Sequence, residues 1–353
     1  TIIDTINTFL YSKLLIVILI GSGIYFTIRT RFPQVRLFRK ACNAVMEKPE
    51  GKESVSSFQA LMVSTASRVG TGNIVGVSSA ICIGGVGSVF WMWIIAILGS
   101  ASALAESTLA QIYKKKGEDG RCYGGPAYYI EAALHSRGLA VVFCIAMILT
   151  YAFGFNMLAS YNLQSTFAGQ PFYNADITPW IIGGILALVM GWCLLGGGNR
   201  IVKVTSTLVP FMGIAYILVS LLVVVLNIGQ LPSVMAQIFK EAFDFKAIFA
   251  GFAGSAMMQG IRRGLYSNEA GIGSAPNAAA SAVVSHPVKQ GLVQMLSVFI
   301  DTLLLCTATA MMCLVSGVIP AKELQGAPWV QAALHKTLGS FGPYFIMIAM
   351  VLF

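Results

Sequence analysis

Asp301 is the residue whose chemistry most needs a reason. It lies in an apolar run of roughly residues 291–318, and Gln290, Gln294, Ser297 and Asp301 stand at offsets of 0, 4, 7 and 11, one face of a helix. A carboxylate at the centre of a membrane-crossing helix costs roughly 2.5–3.5 kcal/mol on insertion scales, so it faces the protein interior and finds a partner. It offers a cation site or a proton relay, with Thr302 and Thr307 adding oxygens; the competing reading is a structural pair with Arg68. A second stretch is Ser64-Thr-Ala-Ser-Arg-Val-Gly-Thr-Gly-Asn-Ile-Val-Gly76, inside an apolar segment of about residues 58–83. Gly70 and Gly72 weaken a helix there, and unwound backbone at membrane depth survives only where it lines a cavity or is buried in protein. Freed N–H groups at such a break receive an anion and freed C=O groups a cation. The same small residues, Gly72-x-x-x-Gly76, equally fit close helix packing.

Other polar groups fall in apolar segments. Ala250-Gly-Phe-Ala-Gly-Ser255 repeats the glycine theme, with Gly260 and Gly264 following. Asn156, Ser160 and Gln164 share one helical face, with Phe153 and Phe167 close enough to wall a small pocket. Asn156 reads as an interhelical hydrogen bond and Gln164 as a substrate contact. Glu106 and Arg68 read as structural or gating residues. The three histidines form no ligand cluster, and HExxH, Walker A and GxSxG patterns are absent.

These residues need helices to hold them, and composition supplies the setting. The 353-residue chain is 56% hydrophobic and 10% charged, against about a quarter charged in a soluble domain, so it is an integral membrane protein. Its formal charge of +9 sits in loops beside apolar runs, which fits the positive-inside rule better than nucleic-acid binding. The seven cysteines lack CxxC spacing and read as small packing residues. The closing apolar run, residues 344–353, reads as a helix cut short.

Nine spans are expected, at about 13–28, 58–83, 86–113, 140–167, 179–195, 202–228, 247–271, 291–318 and 341 onward. Lys and Arg crowd the loops after spans one, three and five, which sets those loops in the cytoplasm and the N-terminus outside. Trp91 and Trp93 fit an outer aromatic belt. Residues 232–245 and 328–338 are expected to be short surface helices. The glycine-interrupted spans, two and seven, lie five apart and suggest two five-helix repeats, each opening with a broken helix.

Ser67-Arg-Val-Gly-Thr-Gly-Asn-Ile74, Phe90-Trp-Met-Trp93, Gly124-Gly-Pro-Ala-Tyr-Tyr-Ile130 and Arg263-Gly-Leu-Tyr-Ser-Asn-Glu-Ala-Gly-Ile-Gly-Ser-Ala-Pro276 resemble the alanine/glycine:cation symporters over essentially the whole chain. The departures are small, Ala127 where Met is common and Tyr266 where Phe is common. The resemblance implies an all-α polytopic fold like that of the bacterial leucine transporter. It would comprise an extra first helix and loop (residues 1–55), a first repeat (56–228) and a partial second repeat (247–353), with the remaining helices beyond Phe353.

It also implies symport of a small neutral amino acid, alanine or glycine, with sodium as the co-transported ion, no organic cofactor, and a place in the plasma (inner) membrane among lipid. The substrate carboxylate would meet N–H groups of Gly70, Thr71, Gly72 and Asn73, and the ammonium would meet carbonyls of Gly251–Gly254 and the Gln164 amide. Phe167 and Phe252 would limit side-chain size. Sodium would take carbonyls around Ala66 to Val69, the Asn73 side chain, Ser255 and Thr302. Arg68, Asp301, Arg263, Asn268 and Glu269 are coupling or gating candidates, the Arg263–Pro276 segment serving a cytoplasmic gate more than the pocket. Proton coupling through Asp301 is the nearest rival. A passive channel would need a continuous polar face, and a membrane enzyme would need Asp301 and Glu106 paired, though they lie on different spans at different depths.

Overall fold

The computed structural model describes residues 9–10, 14–47, 55–118, 122–244 and 255–353. These residues are mostly helical, with a two-stranded antiparallel ribbon, Lys115–Lys116 with Cys122–Tyr123, and an isolated parallel bridge between Val55 and Ala282. In chain order the helices are α1 Leu15–Arg29, α2 Pro33–Arg36, α3 Phe38–Val45, α4 Ser57–Arg68, α5 Gly72–Gly84, α6 Ser88–Ile112 and α7 Pro126–Leu134. They continue as α8 Arg137–Phe167, α9 Thr178–Leu195, α10 Gly197–Leu226, α11 Leu231–Ala242, α12 Ala256–Asn268 and α13 Ala275–Ser281, then α14 Pro287–Val315, α15 Ala327–Leu338 and α16 Phe341–Leu352.

Five of them, α6, α8, α9, α10 and α14, are long and apolar enough to cross a bilayer, and α1, α5 and α16 are shorter apolar helices. Burial sorts them into an inner and an outer set. The apolar windows of α6 and α14 are 61% and 67% buried, whereas those of α8 and α9 are 6% and 0% buried. The inner pair approach closely because small residues line the contact: a Cβ on Gly291 would stand 2.6 Å from the Leu104 carbonyl oxygen. Trp91 and Trp93, expected in an outer aromatic belt, lie in the first turns of α6. Both are half-buried, and their indole N–H groups donate to the Ala242 carbonyl (3.0 Å) and the Thr307 hydroxyl (2.8 Å). A buried indole needs an acceptor, and the neighbouring helices supply one.

Span two is broken where expected. A capping box of Ser56 and Gln59 starts α4. The helix ends at Arg68, Val69 turns extended (φ −83°, ψ 101°), and α5 begins at Gly72. A second interruption closes span seven, in the segment expected to serve a cytoplasmic gate. Residues 245–254, with the break expected at Gly251–Gly254, lie outside the described residues. The break that is seen follows Asn268: Glu269 is left-handed (φ 49°), Gly271 and Gly273 take φ of 85° and 90°, and α13 resumes at Ala275. Only glycine adopts such angles without strain, which is why the Arg263–Pro276 motif interrupts the helix here.

Helices α5 and α12 run antiparallel, Gly84 against Gln259 and Gly72 and Gly76 against Arg263. The two breaks therefore lie side by side. Two π-helical segments flank them, Leu149–Phe155 in α8 and Phe299–Cys306 in α14. Such wider turns recur at functional sites, and Asp301 lies in the second.

Candidate binding site

A cavity of about 310 Å³ opens between the two breaks. Its floor is the first break, with Ala66, Ser67, Arg68, Gly70, Thr71, Gly72 and Asn73. Arg263, Tyr266, Ser267 and Glu269 come from the second break and the helix before it, and Tyr151, Phe155, Asn156 and Asn162 come from α8. The N–H groups at the start of α5 point out of a helix N-terminus and have no intrahelical partners. The Asn73 N–H is the exception among the four expected to receive an anion, because it donates to the Gly70 carbonyl at 2.9 Å. Among the described residues, the N–H groups of Gly70, Thr71 and Gly72 have no acceptor.

Asp301 is fully buried and accepts three hydrogen bonds: Asn73 Nδ2 to Oδ1 at 2.6 Å, and Ser267 Oγ and Thr302 Oγ1 to Oδ2, each at 2.8 Å. The structural pair with Arg68 does not form. Arg68 turns instead toward Gln294, at 3.4 Å from Oε1. Thr307 does not reach the carboxylate either; it donates to the Thr302 carbonyl at 3.3 Å. Asn73 Oδ1 is buried without a hydrogen-bond donor among the described residues. An oxygen left bare beside a carboxylate is what a hard cation binds.

Ser255 stands apart from this cluster. It caps α12, its hydroxyl accepting the Met258 N–H at 3.3 Å, twelve residues before Ser267 on the same helix. At the α-helical rise that is ~18 Å away. Ser267, which donates to Asp301, stands in this cluster, and the segment before Ser255 lies outside the described residues.

Glu269 joins the walls. Its Oε2 accepts from Ser67 Oγ (3.0 Å), Tyr151 Oη (2.8 Å) and Ser274 Oγ (2.6 Å), one hydroxyl each from α4, α8 and the second break. Glu106 on α6 accepts the backbone N–H groups of Gly271 and Gly273, both at 3.1 Å. Asn268 turns its side chain inward on its own loop, Oδ1 accepting the Ala270 N–H at 3.0 Å. Arg263 lies across the glycine face of α5 and donates from Nη2 to Ser267 Oγ at 3.0 Å.

Among the described residues, the buried charged side chains are Arg68, Glu106, Arg263, Glu269 and Asp301, and all five meet around the two breaks. Arg68 is within electrostatic reach of all three carboxylates. Two fixed cations thus face three carboxylates, and buried charge is tolerated only when it is compensated.

The α8 residues differ from the sequence expectation. Gln164 is hydrogen-bonded to Tyr173, and Phe167 packs edge-on against Phe172; neither lines the cavity. Phe153 is exposed, and Tyr151 and Phe155 wall the cavity in its stead. Asn156 bonds to Ala152 of its own helix rather than to a neighbour (3.1 Å). Asn162, off the face read from the sequence, is the buried amide that donates to Thr71 Oγ1 at 3.2 Å. Val69 is buried and lies outside the lining, while Ala66 lines it. Gly251, Phe252 and Gly254 lie outside the described residues. The signal for Ser267 and Glu269 was present in the long Arg263–Pro276 motif. For Asn162 there was none.

A polytopic helical membrane protein with a polar cavity at two helix breaks is a transport protein by architecture. The sodium:alanine symporter family model matches residues 1–353, and the chain belongs to that family, one of symporters and not of enzymes. It is 46% identical over 355 residues to the probable sodium/glutamine symporter GlnT of Bacillus subtilis (strain 168), covering 100% of this chain and 73% of the relative. It is 45% identical over 365 residues to the putative sodium/proton-dependent alanine carrier protein YrbD of the same organism, covering 99% and 74%. It is 36% identical over 359 residues to the sodium/alanine symporter AgcS of Methanococcus maripaludis, covering 100% and 79%.

Proposed function

We propose that the protein is a sodium-coupled symporter of a small neutral amino acid, alanine or glycine, working by alternating access in the cell membrane with its N-terminus outside. The observation that carries the coupling is the buried Asp301 carboxylate held by Asn73, whose own Oδ1 has no hydrogen-bond donor among the described residues, a pair of oxygens that one monovalent cation would complete. A zwitterionic amino acid adds no net charge, so ion and substrate fill the site together without unbalancing it. Sodium would sit at Asn73 Oδ1, Asp301 and Thr302, within reach of the carbonyls of the first break. The substrate carboxylate would take the open N–H groups of Gly70, Thr71 and Gly72 at the positive end of α5. The ammonium would face Glu269, and Phe155 and Tyr266 would bound the side chain.

Ion and substrate would bind at the same break, the ion at Asn73 and the substrate at Gly70 to Gly72, so binding of either would raise the affinity for the other. The two breaks belong, on this reading, to an inverted-repeat fold like that of the bacterial leucine transporter. A proton on Asp301 balances the same charge as a sodium ion would, and one relative carries both ions in its name. Labelled-alanine uptake into proteoliposomes decides between them. Saturable uptake driven by an inward sodium gradient supports the proposal. Uptake driven only by a proton gradient moves coupling onto Asp301. Competition by excess unlabelled glycine but not glutamine supports the small substrate; stronger competition by glutamine overturns it.

A further inference from the structure

Residues 29–46 hold five cations, Arg29, Arg31, Arg36, Arg39 and Lys40, and no acidic residue. They follow directly on the apolar helix α1 and fold into α2 and α3. The turn between α1 and α2 is built: Arg31 and Phe32 both take left-handed φ, 58° and 54°, which side chains other than glycine rarely adopt. Gln34 Nε2 holds it, donating to Thr27 Oγ1 at 2.9 Å and to the Ile97 carbonyl of α6 at 3.0 Å. Pro33, Gln34, Ala41 and Ala44 are buried, and α3 packs on α14 and α4. Glu47 closes the segment by an ion pair with Lys289 of α14 at 2.7 Å.

The other side of the segment is uncovered. Phe32, Val35, Phe38 and Met46 are exposed, Val35 and Met46 each at 82%, and they alternate with the exposed Arg31, Arg36, Arg39 and Lys40. None of the five cations is in an ion pair among the described residues. A rigid segment that mixes exposed apolar side chains with unpaired cations, at the end of an apolar membrane helix, has the chemistry of the headgroup boundary.

We propose that α2 and α3 form an in-plane foot that binds the anionic headgroups of the phospholipid leaflet it meets. Phe32, Val35, Phe38 and Met46 enter the acyl boundary, and Arg31, Arg36, Arg39 and Lys40 take the phosphates. Charge complementarity selects an anionic lipid over a zwitterionic one, since clustered Lys and Arg beside a membrane helix gain with each added anionic neighbour. Through α3 and Glu47 the foot rests on α14, the helix that carries Asp301, and on α4, the first half of the broken span.

The test reads thermal unfolding of the purified protein in neutral detergent, and so stands apart from any transport assay. Phosphatidylglycerol is titrated against phosphatidylcholine and against inorganic phosphate. Phosphatidylglycerol alone is expected to raise the midpoint by several degrees, and 0.5 M NaCl to remove most of that rise. The triple variant R31Q/R39Q/K40Q should keep the lipid-free midpoint and lose at least half of the rise. K240Q/K322Q, whose cations lie on α11 and in the turn before α15, outside the foot, should keep it in full. An undiminished rise in the triple variant, or an equal rise with inorganic phosphate alone, overturns the proposal. Should the triple variant fail to fold, R39Q and K40Q are measured singly, and a full rise in both overturns it equally.

Discussion

The two helix breaks solve one physical problem in opposite ways. Each frees backbone N–H groups inside a membrane protein, where an unpaired donor costs about 1–3 kcal/mol. At the second break the protein supplies the acceptor itself, the Glu106 carboxylate across Gly271 and Gly273. At the first break Gly70, Thr71 and Gly72, whose N–H groups have no acceptor among the described residues, line the cavity. One break is closed by a side chain of the chain, and the other borders a cavity. A glycine-rich interruption is therefore a binding site only where no neighbour has already filled it.

Substitutions can break that comparison, beginning with the largest expected effect. Asp301→Asn removes the buried carboxylate that Asn73, Ser267 and Thr302 surround, and sodium-driven uptake should fall by about 100-fold, about 2.7 kcal/mol. Unimpaired sodium-driven uptake would remove Asp301 from coupling. Glu106→Ala strips the acceptor from the second break, and two orphaned N–H groups should lower unfolding stability by about 2–5 kcal/mol. Glu106→Gln keeps an acceptor oxygen and should recover part of that loss; a Glu106→Ala protein as stable as wild type would mean that the second break, too, is open.

Smaller changes sharpen the contrast at the first break. Asn162→Ala deletes the hydrogen bond to Thr71 and should raise the KM for alanine several-fold, for a bond worth about 1 kcal/mol. Gln164→Ala, which the sequence alone expects to weaken binding, should leave KM unchanged because Gln164 is committed to Tyr173. The reverse ranking would put the substrate on the outer end of α8.

The smallest effect lies outside both breaks, at the Glu47–Lys289 pair. The hydrogen bond from Lys289 holds the Glu47 carboxyl below its ordinary 4.5. A depressed carboxylate stabilises the fold above its unfolded pKa and loses that contribution as pH falls through the folded value. The midpoint difference between wild type and Glu47→Gln should be small at pH 6 and vanish as pH falls through the lowered folded value, since a half-exposed pair contributes little. A difference that persists in acid would make the pairing one of shape and not of charge.

Much of the scaffold was legible. Five of the nine expected spans match helices long and apolar enough to cross, with ends within a few residues, because a bilayer demands a minimum apolar length whatever surrounds it. The break at Gly70–Gly72 was legible too, since two glycines beside Thr71 and Asn73 lower helix propensity locally. Orientation on a helix face was not. Asn156, Ser160 and Gln164 do share a face, but only packing decides which face of α8 turns inward, and it chose Asn162. The same holds for α12, where Ser255 and Ser267 are both serines on one helix and only the second meets Asp301.

What the sequence determined by itself is what local chemistry sets: a membrane chain, its crossing segments, an interrupted second span, and a carboxylate that must find compensation. What the tertiary structure decided is which groups compensate it. Five charged side chains from α4, α6, α12, α14 and the second break gather around two neighbouring breaks, from positions as far apart in the chain as Arg68 and Asp301. Coulomb interactions and hydrogen bonds act over a few ångströms of space, and no spacing along the chain records which distant helices will be brought that close.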